Sequence, residues 1–189
     1  WADETGSIKK AYGYQLGVKH KYKEGMFDQV DRVLFDLKNN PFSRRIMTNI
    51  YVHQDLHEMA LAPCAYSMTF NVTTNKNTGK LVLNAILNQR SSDVLTANNW
   101  NVVQYAVLVH MFAQVSDMEV GELIHVIADA HIYDKHIPLV EEMIQRAPLM
   151  PPKFWINPDV KDFYKFTVDD FKLIDYNTHP QIKNIPIAI

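Results

Sequence analysis

Cys64 is the single cysteine of the chain. It stands in Ala62-Pro63-Cys64-Ala65-Tyr66, where a proline-marked loop runs into an alternating segment. A thiol at such a junction can be fixed and still be reached by a substrate. Its thiolate would be a strong nucleophile, but a free thiol titrates near ~8.5 and needs a neighbouring cation to ionise at neutral pH. The competing reading is a small buried hydrophobe, the commoner fate of an isolated cysteine. Arginines that could supply the charge gather in two places, Ser43-Arg44-Arg45 and Gln89-Arg90-Ser91-Ser92-Asp93. A planar guanidinium beside hydroxyls suits phosphate oxygens; solvated strand ends explain the same spacing equally well. There is no glycine-rich phosphate loop, which argues against a nucleoside-triphosphate enzyme. His125, His131 and His136 invite a zinc reading, but their spacing matches no common zinc pattern and no metal is expected. His131 and Tyr133, in Asp129-Ala130-His131-Ile132-Tyr133, could give hydrogen bonds to a sugar hydroxyl or could be structural. Residues alone therefore suggest a cysteine nucleophile acting on a phosphorylated small molecule, and leave the reaction open.

The elements that must position these residues are legible from periodicity. Val30, Val33, Leu34 and Leu37 predict a helix over 28–39, stopped by Pro41. Alternation predicts strands over 45–52 and 66–72, and a third over 80–87 that closes a hairpin across the polar turn 73–79. A long apolar helix is expected over 101–114, with Val102, Tyr105, Ala106, Val109 and Ala113 on one face. A short strand over 122–128, a helix over 137–146 and late strands over 153–156 and 171–176 complete the reading. Strands in hairpins and helices in separate blocks favour an α+β fold over a doubly wound sheet.

The 189 residues suit a single domain, 1–189, with a substantial core. A formal net charge of −2 offers no broad cationic field for nucleic acid or membrane, so an anionic ligand must be held by a few placed arginines. No apolar run reaches the ~20 residues of a membrane span, and no signal peptide is visible. One cysteine cannot form an internal disulfide, which suits the cytoplasm. Asn71-Val72-Thr73 is then a fortuitous sequon. The start at Trp1 suggests that an upstream segment is missing, and the apolar end Ile185-Pro186-Ile187-Ala188-Ile189 suggests a tail that docks.

At these same residues the sequence resembles the thymidylate synthase family. The matching segments are Trp1-Ala2-Asp3-Glu4, Tyr12-Gly13-Tyr14-Gln15, Ser43-Arg44-Arg45-Ile46, Met59-Ala60-Leu61-Ala62-Pro63-Cys64, Gln89-Arg90-Ser91, Asp93, Asp129-Ala130-His131-Ile132-Tyr133 and His179-Pro180. They occur in the family's order along the whole chain; roughly the family's first third has no counterpart. The resemblance implies a twisted mixed sheet packed with helices. It implies reductive methylation of dUMP to dTMP, with 5,10-methylenetetrahydrofolate as carbon and hydride donor, and no metal.

It makes Cys64 the nucleophile at uracil carbon 6, Arg90 its cationic neighbour and Tyr12 a participant in proton removal at carbon 5. Gln89, Arg90, Ser91, Ser92, Asp93, Asn101, His131 and Tyr133 would bind dUMP. Asp93, Trp1 and Ala188 would face the folate. Arg44 and Arg45 would reach the phosphate bound by the partner in a homodimer. Asn101 favours uracil, because a carboxamide complements O4 and N3–H; the related hydroxymethylases of cytosine nucleotides carry Asp there. A non-catalytic, RNA-binding member is the other alternative, and the charge makes RNA binding at most a minor role. Ala65 stands where much of the family has His, Leu16 replaces a common Trp, Ala97 a common Gly, and Gln104 a common Ser.

Overall fold

The computed structural model describes residues 2–187; Trp1, Ala188 and Ile189 lie outside the described residues, among them two of the expected folate contacts. In chain order the elements are α1 (Gly13–Gly17), β1 (His20–Tyr22), β2 (Gly25–Phe27), α2 (Gln29–Asn39), β3 (Met47–Asn49), β4 (Ala65–Thr74), β5 (Leu81–Gln89), β6 (Ser92–Asp93), α3 (Asn98–Val115), β7 (Glu119–Ile127), β8 (Ala130–His131), α4 (Ile137–Ile144), β9 (Lys153–Ile156) and β10 (Phe171–Ile174).

Helix α2 starts where the sequence says it should. The Asp28 carboxylate accepts from Asp31 N at 2.8 Å, satisfying one of the free N–H groups of the first turn. Val30, Val33 and Leu37 are buried on one face. β4 and β5 form the expected antiparallel hairpin, with Ala65 opposite Gln89 and Thr74 opposite Leu81. β3 is shorter than the strand expected over 45–52. Beyond it the Tyr51 N–H turns to the Asn49 side chain at 3.0 Å, and a six-residue 3₁₀ segment, His53–Glu58, takes over.

The main sheet has the order β3-β4-β5-β7. β7 runs parallel to β5, so α3 is a crossover helix between them. The fold is α+β with a mixed sheet, rather than a set of hairpins with helices kept apart. Phe112 of α3 explains much of the packing. It is fully buried, lies edge-on to Phe70 of β4 with centroids 5.3 Å apart, and stacks on Phe163 at 4.9 Å. Truncating such a side chain typically costs about 3–5 kcal/mol.

The two faces of this sheet differ. Met68, Phe70, Val72, Leu83, Ala85 and Leu87 pack inward with α2 and α3. The opposite face carries Thr69, Asn71, Thr73 and Asn84, together with Met47, Ile86, Ile124 and Val126, which stay 39–51% exposed. Two further pairs lay outside the sequence expectations: the β1–β2 hairpin and the parallel two-residue pair β6–β8. Among the described residues no helix is long and apolar enough to cross a membrane.

Candidate active site

One end of the sheet collects nearly all the candidate residues. Because β4 runs antiparallel to β5, the start of β4 meets the end of β5, and Arg90 N donates to the Cys64 carbonyl at 2.9 Å. Because β7 runs parallel to β5, Ile127 ends beside Gln89, and Ala128 N donates to Gln89 O at 2.9 Å. The β6–β8 pair then sets Asp93 beside His131. Helix α3 begins at Asn98, so Asn101 is in its first turn. Crevices at the carboxyl ends of strands are a common place for ligands.

Cys64 is partly exposed and in no disulfide. The Arg90 guanidinium reaches it, with Nη2 4.0 Å from Sγ. The same guanidinium donates through Nε to Pro63 O at 3.0 Å and through Nη2 to Ala62 O at 2.9 Å. The arginine is thus pinned to the loop that presents the thiol. On the other side Cys64 N donates to Tyr12 Oη at 3.0 Å. Burial outweighs that bond and holds the Tyr12 phenol above its ordinary pKa, so it is neutral at physiological pH. Tyr12 has φ 36° and ψ −93°, a left-sided conformation that a tyrosine adopts only when its surroundings impose it. Behind it, burial pushes the Tyr105 phenol up to about 12.

Gln89 and Ser92 are buried scaffolding. Gln89 Nε2 donates to Ser91 O at 2.8 Å, so its Oε1 must accept from His125 Nε2, 2.9 Å away. Burial lowers the His125 pKa, in keeping with a neutral ring. Ser92 N donates to Asp129 O at 2.8 Å. The Ser91 hydroxyl makes no hydrogen bond among the described residues. Burial alone would raise the Asp93 pKa, but the Thr96 hydroxyl, the N–H groups of Thr96 and Leu95 and nearby His136 together hold it below the usual carboxylate value. The Asn101 amide donates to Ala97 O at 3.0 Å, which leaves its carbonyl oxygen without a partner among the described residues. His131 packs edge-on against Tyr133, with centroids 5.1 Å apart.

Arg44 and Arg45 are elsewhere. Phe70 N donates to Ile46 O at 2.9 Å, which puts Ile46 opposite a point six residues along β4 from Cys64. At ~3.4 Å per residue that is roughly 20 Å from the thiol. The pair lines a surface cavity of about 450 Å³ with Asn40, Phe42 and Ser43. Two other cavities bear on the site. One of about 380 Å³ is lined by Asn49, Tyr51, His53, Tyr66 and Arg90. One of about 760 Å³ at the start of α3 is lined by Asn99, Trp100, Val103, Gln104, Tyr176 and Gln181. Tyr51, His53, Tyr66 and Trp100 were not anticipated as lining residues. Tyr51 and Tyr66 lie at or beside strand ends, His53 opens the 3₁₀ segment and Trp100 is in the first turn of α3, places where a ring reads equally well as packing, so no local pattern marks them.

Comparison with known proteins decides the family. The thymidylate synthase family model matches residues 1–188. The chain belongs to the thymidylate synthase family. It is 48% identical over 177 residues to the thymidylate synthase of Bacillus phage phi3T, covering 93% of this chain and 61% of that protein. The Bacillus licheniformis thymidylate synthase matches with the same identity and coverage. A solved structure of thermostable thymidylate synthase A from Bacillus subtilis superposes with a TM-score of 0.88 at 43% identity, covering 98% of this chain and 65% of that one. The chain therefore spans about three-fifths of the length of these curated relatives. Among the described residues no group of three or more His, Cys, Asp or Glu is arranged to hold a metal ion.

Proposed function

We propose that this chain is the Cys64-bearing part of a folate-dependent thymidylate synthase that converts dUMP to dTMP, with residues 1–189 belonging to one catalytic domain. The observation that carries the reading is the Arg90 guanidinium, pinned to the Ala62 and Pro63 carbonyls and 4.0 Å from the Cys64 sulfur. A fixed guanidinium beside a partly exposed thiol sets a charged donor against the sulfur that must add to carbon 6 of uracil. Addition makes carbon 5 nucleophilic toward a one-carbon donor. Methylenetetrahydrofolate would supply that carbon. Loss of the carbon 5 proton then expels the folate nitrogen and leaves an exocyclic methylene. Hydride from the tetrahydrofolate reduces it to the methyl group, and the bond between sulfur and carbon 6 breaks, releasing dTMP, dihydrofolate and Cys64.

Each group near the thiol has a part. A neutral phenol is a weak base, so Tyr12 orients the water that removes the carbon 5 proton. The open carbonyl oxygen of Asn101 accepts from uracil N3–H. His131 and Tyr133 bind the sugar hydroxyl. Ser91 and Arg90 take part of the phosphate, with Gln89 and Ser92 holding their loop in shape. The ionised Asp93 accepts from N–H groups of the pterin. The cavity walled by Trp100, Val103 and Tyr176 is wide and aromatic enough for the rest of the folate. Trp1 and Ala188, outside the described residues, stand as folate contacts on the family resemblance alone.

Arg44 and Arg45 cannot serve the Cys64 of their own subunit across roughly 20 Å of strand. They sit beside the bare sheet face, whose exposed Met47, Ile86, Ile124 and Val126 suit a self-complementary contact with a second copy. A homodimer through this face would carry each arginine pair toward the partner's phosphate. A free catalytic thiol also suits a reducing cytoplasm.

Rapid mixing of the full-length protein with dUMP and methylenetetrahydrofolate tests the reading. Stoichiometric dTMP and dihydrofolate are expected, with dCMP inert. Asn101→Asp should invert the base preference by roughly 10²–10⁴-fold, as expected when a buried polar site is mispaired. Absence of dTMP from the wild-type protein would end the synthase reading.

A further inference from the structure

His136 lies just beyond the residues assigned above. It is 1% exposed and ends the 3₁₀ turn Asp134–His136 that leads into α4. One ring nitrogen, Nε2, is 2.8 Å from Pro186 O in the C-terminal tail. A carbonyl only accepts, so Nε2 carries the hydrogen and donates it. Among the described residues this is the single hydrogen bond made by residues 181–187, because the tail's other ties, Arg146 to Pro180 O and His179 to Ala147 O, both lie upstream. The other nitrogen, Nδ1, is buried without a hydrogen-bond partner among the described residues and lies 3.8 Å from Asp93 Oδ2. That gap is too long for a hydrogen bond and short enough to be closed by a shift of under about 1 Å. The ring also stands edge-on to Tyr133, with centroids 5.6 Å apart, which fixes its plane. One imidazole thus touches the tail on one edge and the Asp93 carboxylate on the other.

We infer that His136 is a positioning residue that ties the C-terminal tail to Asp93, so that occupancy of the folate site and docking of the tail depend on one side chain. The inference rests on the reading that Asp93 and the tail face the folate. A cosubstrate hydrogen-bonded to Asp93 would hold its carboxylate in place to accept from Nδ1–H; both ring nitrogens then carry hydrogens, because the carboxylate, like the Pro186 carbonyl, only accepts. The ring, held in turn by Tyr133, would then keep Nε2–H aimed at Pro186 O.

Two substitutions separate this role from mere space-filling. In His136→Gln the amide nitrogen can take the place of Nε2 and keep the tail bond. In His136→Asn it falls near Nδ1, and the tail bond is lost. Both would be made in the full-length protein. Three readouts would be compared with wild type: hydrogen–deuterium exchange of residues 180–187, KM for methylenetetrahydrofolate, and KM for dUMP. For His136→Asn, loss of one buried hydrogen bond should raise tail exchange and the folate KM about tenfold. The dUMP KM should stay within about twofold, since His136 does not touch the nucleotide in this account. His136→Gln should restore both affected readouts toward wild type. Unchanged tail exchange in His136→Asn overturns the inference, as does a parallel rise in both KM values or a Gln variant no better than Asn. If the wild-type protein itself makes no dTMP, the synthase reading fails, and the exchange data still decide whether His136 anchors the tail.

Discussion

Arg90 has its guanidinium fixed by the carbonyls of Ala62 and Pro63 and reaches toward the Cys64 sulfur, whereas no hydrogen bond or ion pair holds the side chains of Arg44 and Arg45 among the described residues. The fixed arginine is placed without outside help, because the loop that carries Cys64 also orients the guanidinium beside it. The unfixed pair keeps its donors free beside a bare, partly apolar sheet face. Arginine of the first kind completes a site within its own subunit. Arginine of the second kind is useful only when something else, in the proposed homodimer a second copy, brings an anion to it.

Breaking the fixed arginine should have the largest effect. Arg90→Ala should lower kcat/KM by about 10³-fold, through loss of the thiolate's partner and of two charge-assisted bonds to the loop. Arg90→Lys should rescue little, because an ammonium cannot reproduce the fork that grips two carbonyls and faces the sulfur. Slower alkylation of Cys64 by iodoacetamide at neutral pH would show the same loss without turnover.

Separating the subunits should come next. Ile124→Lys puts a charge in the middle of the open face, where Ile124 is 51% exposed and pairs with Ile86. Sedimentation should show monomers, and activity should fall by about 10²-fold, since a charge buried without a partner opposes association. A dimer with full activity would move the interface elsewhere. Arg45→Ala should act more gently, raising KM for dUMP about tenfold, as expected for one lost phosphate contact, with kcat nearly kept. An Arg44→Ala/Arg45→Ala double variant mixed with Cys64→Ser should regain about a quarter of wild-type activity after subunit exchange, because half the dimers are mixed and each mixed dimer holds one intact site. No recovery would place the pair in its own subunit's site.

The smallest effect concerns Asp93. Its folded-state pKa is depressed, because its hydrogen bonds and nearby His136 outweigh burial. A depressed carboxyl adds stability that is present above its unfolded pKa of about 3.9 and is lost as pH falls through the lower folded value. The melting-temperature gap between wild type and Asp93→Asn should therefore be flat above about pH 5 and shrink below pH 4.

Much of this arrangement is legible before any coordinates. The period of α2, its Asp28 cap and the alternation of β4 and β5 are local signals, and the hairpin they imply already places Cys64 beside Arg90. Other parts depend on contacts distant in sequence. The β6–β8 pair is two residues long, too short for a period to show. The face of α3 read from its period does pack, with Tyr105, Val109 and Ala113 buried, but a helix face does not say that the next strand, β7, returns parallel to β5. Tyr12 takes its strained conformation from the packing around it, and His136 finds Pro186 fifty residues away. The roles of individual residues were suggested by resemblance to a family, and the geometry around Cys64 supplies a physical reason for them.

The most direct test of the central claim is covalent trapping. The full-length protein would be incubated with 5-fluoro-dUMP and methylenetetrahydrofolate and weighed intact, beside a Cys64→Ser control. Fluorine at carbon 5 cannot leave as a proton does, so the reaction should stop with nucleotide and folate both bound covalently through Cys64. The account predicts a mass gain equal to the two ligands together in the wild type and none in the variant. No gain in the wild type, or an equal gain in Cys64→Ser, would contradict it.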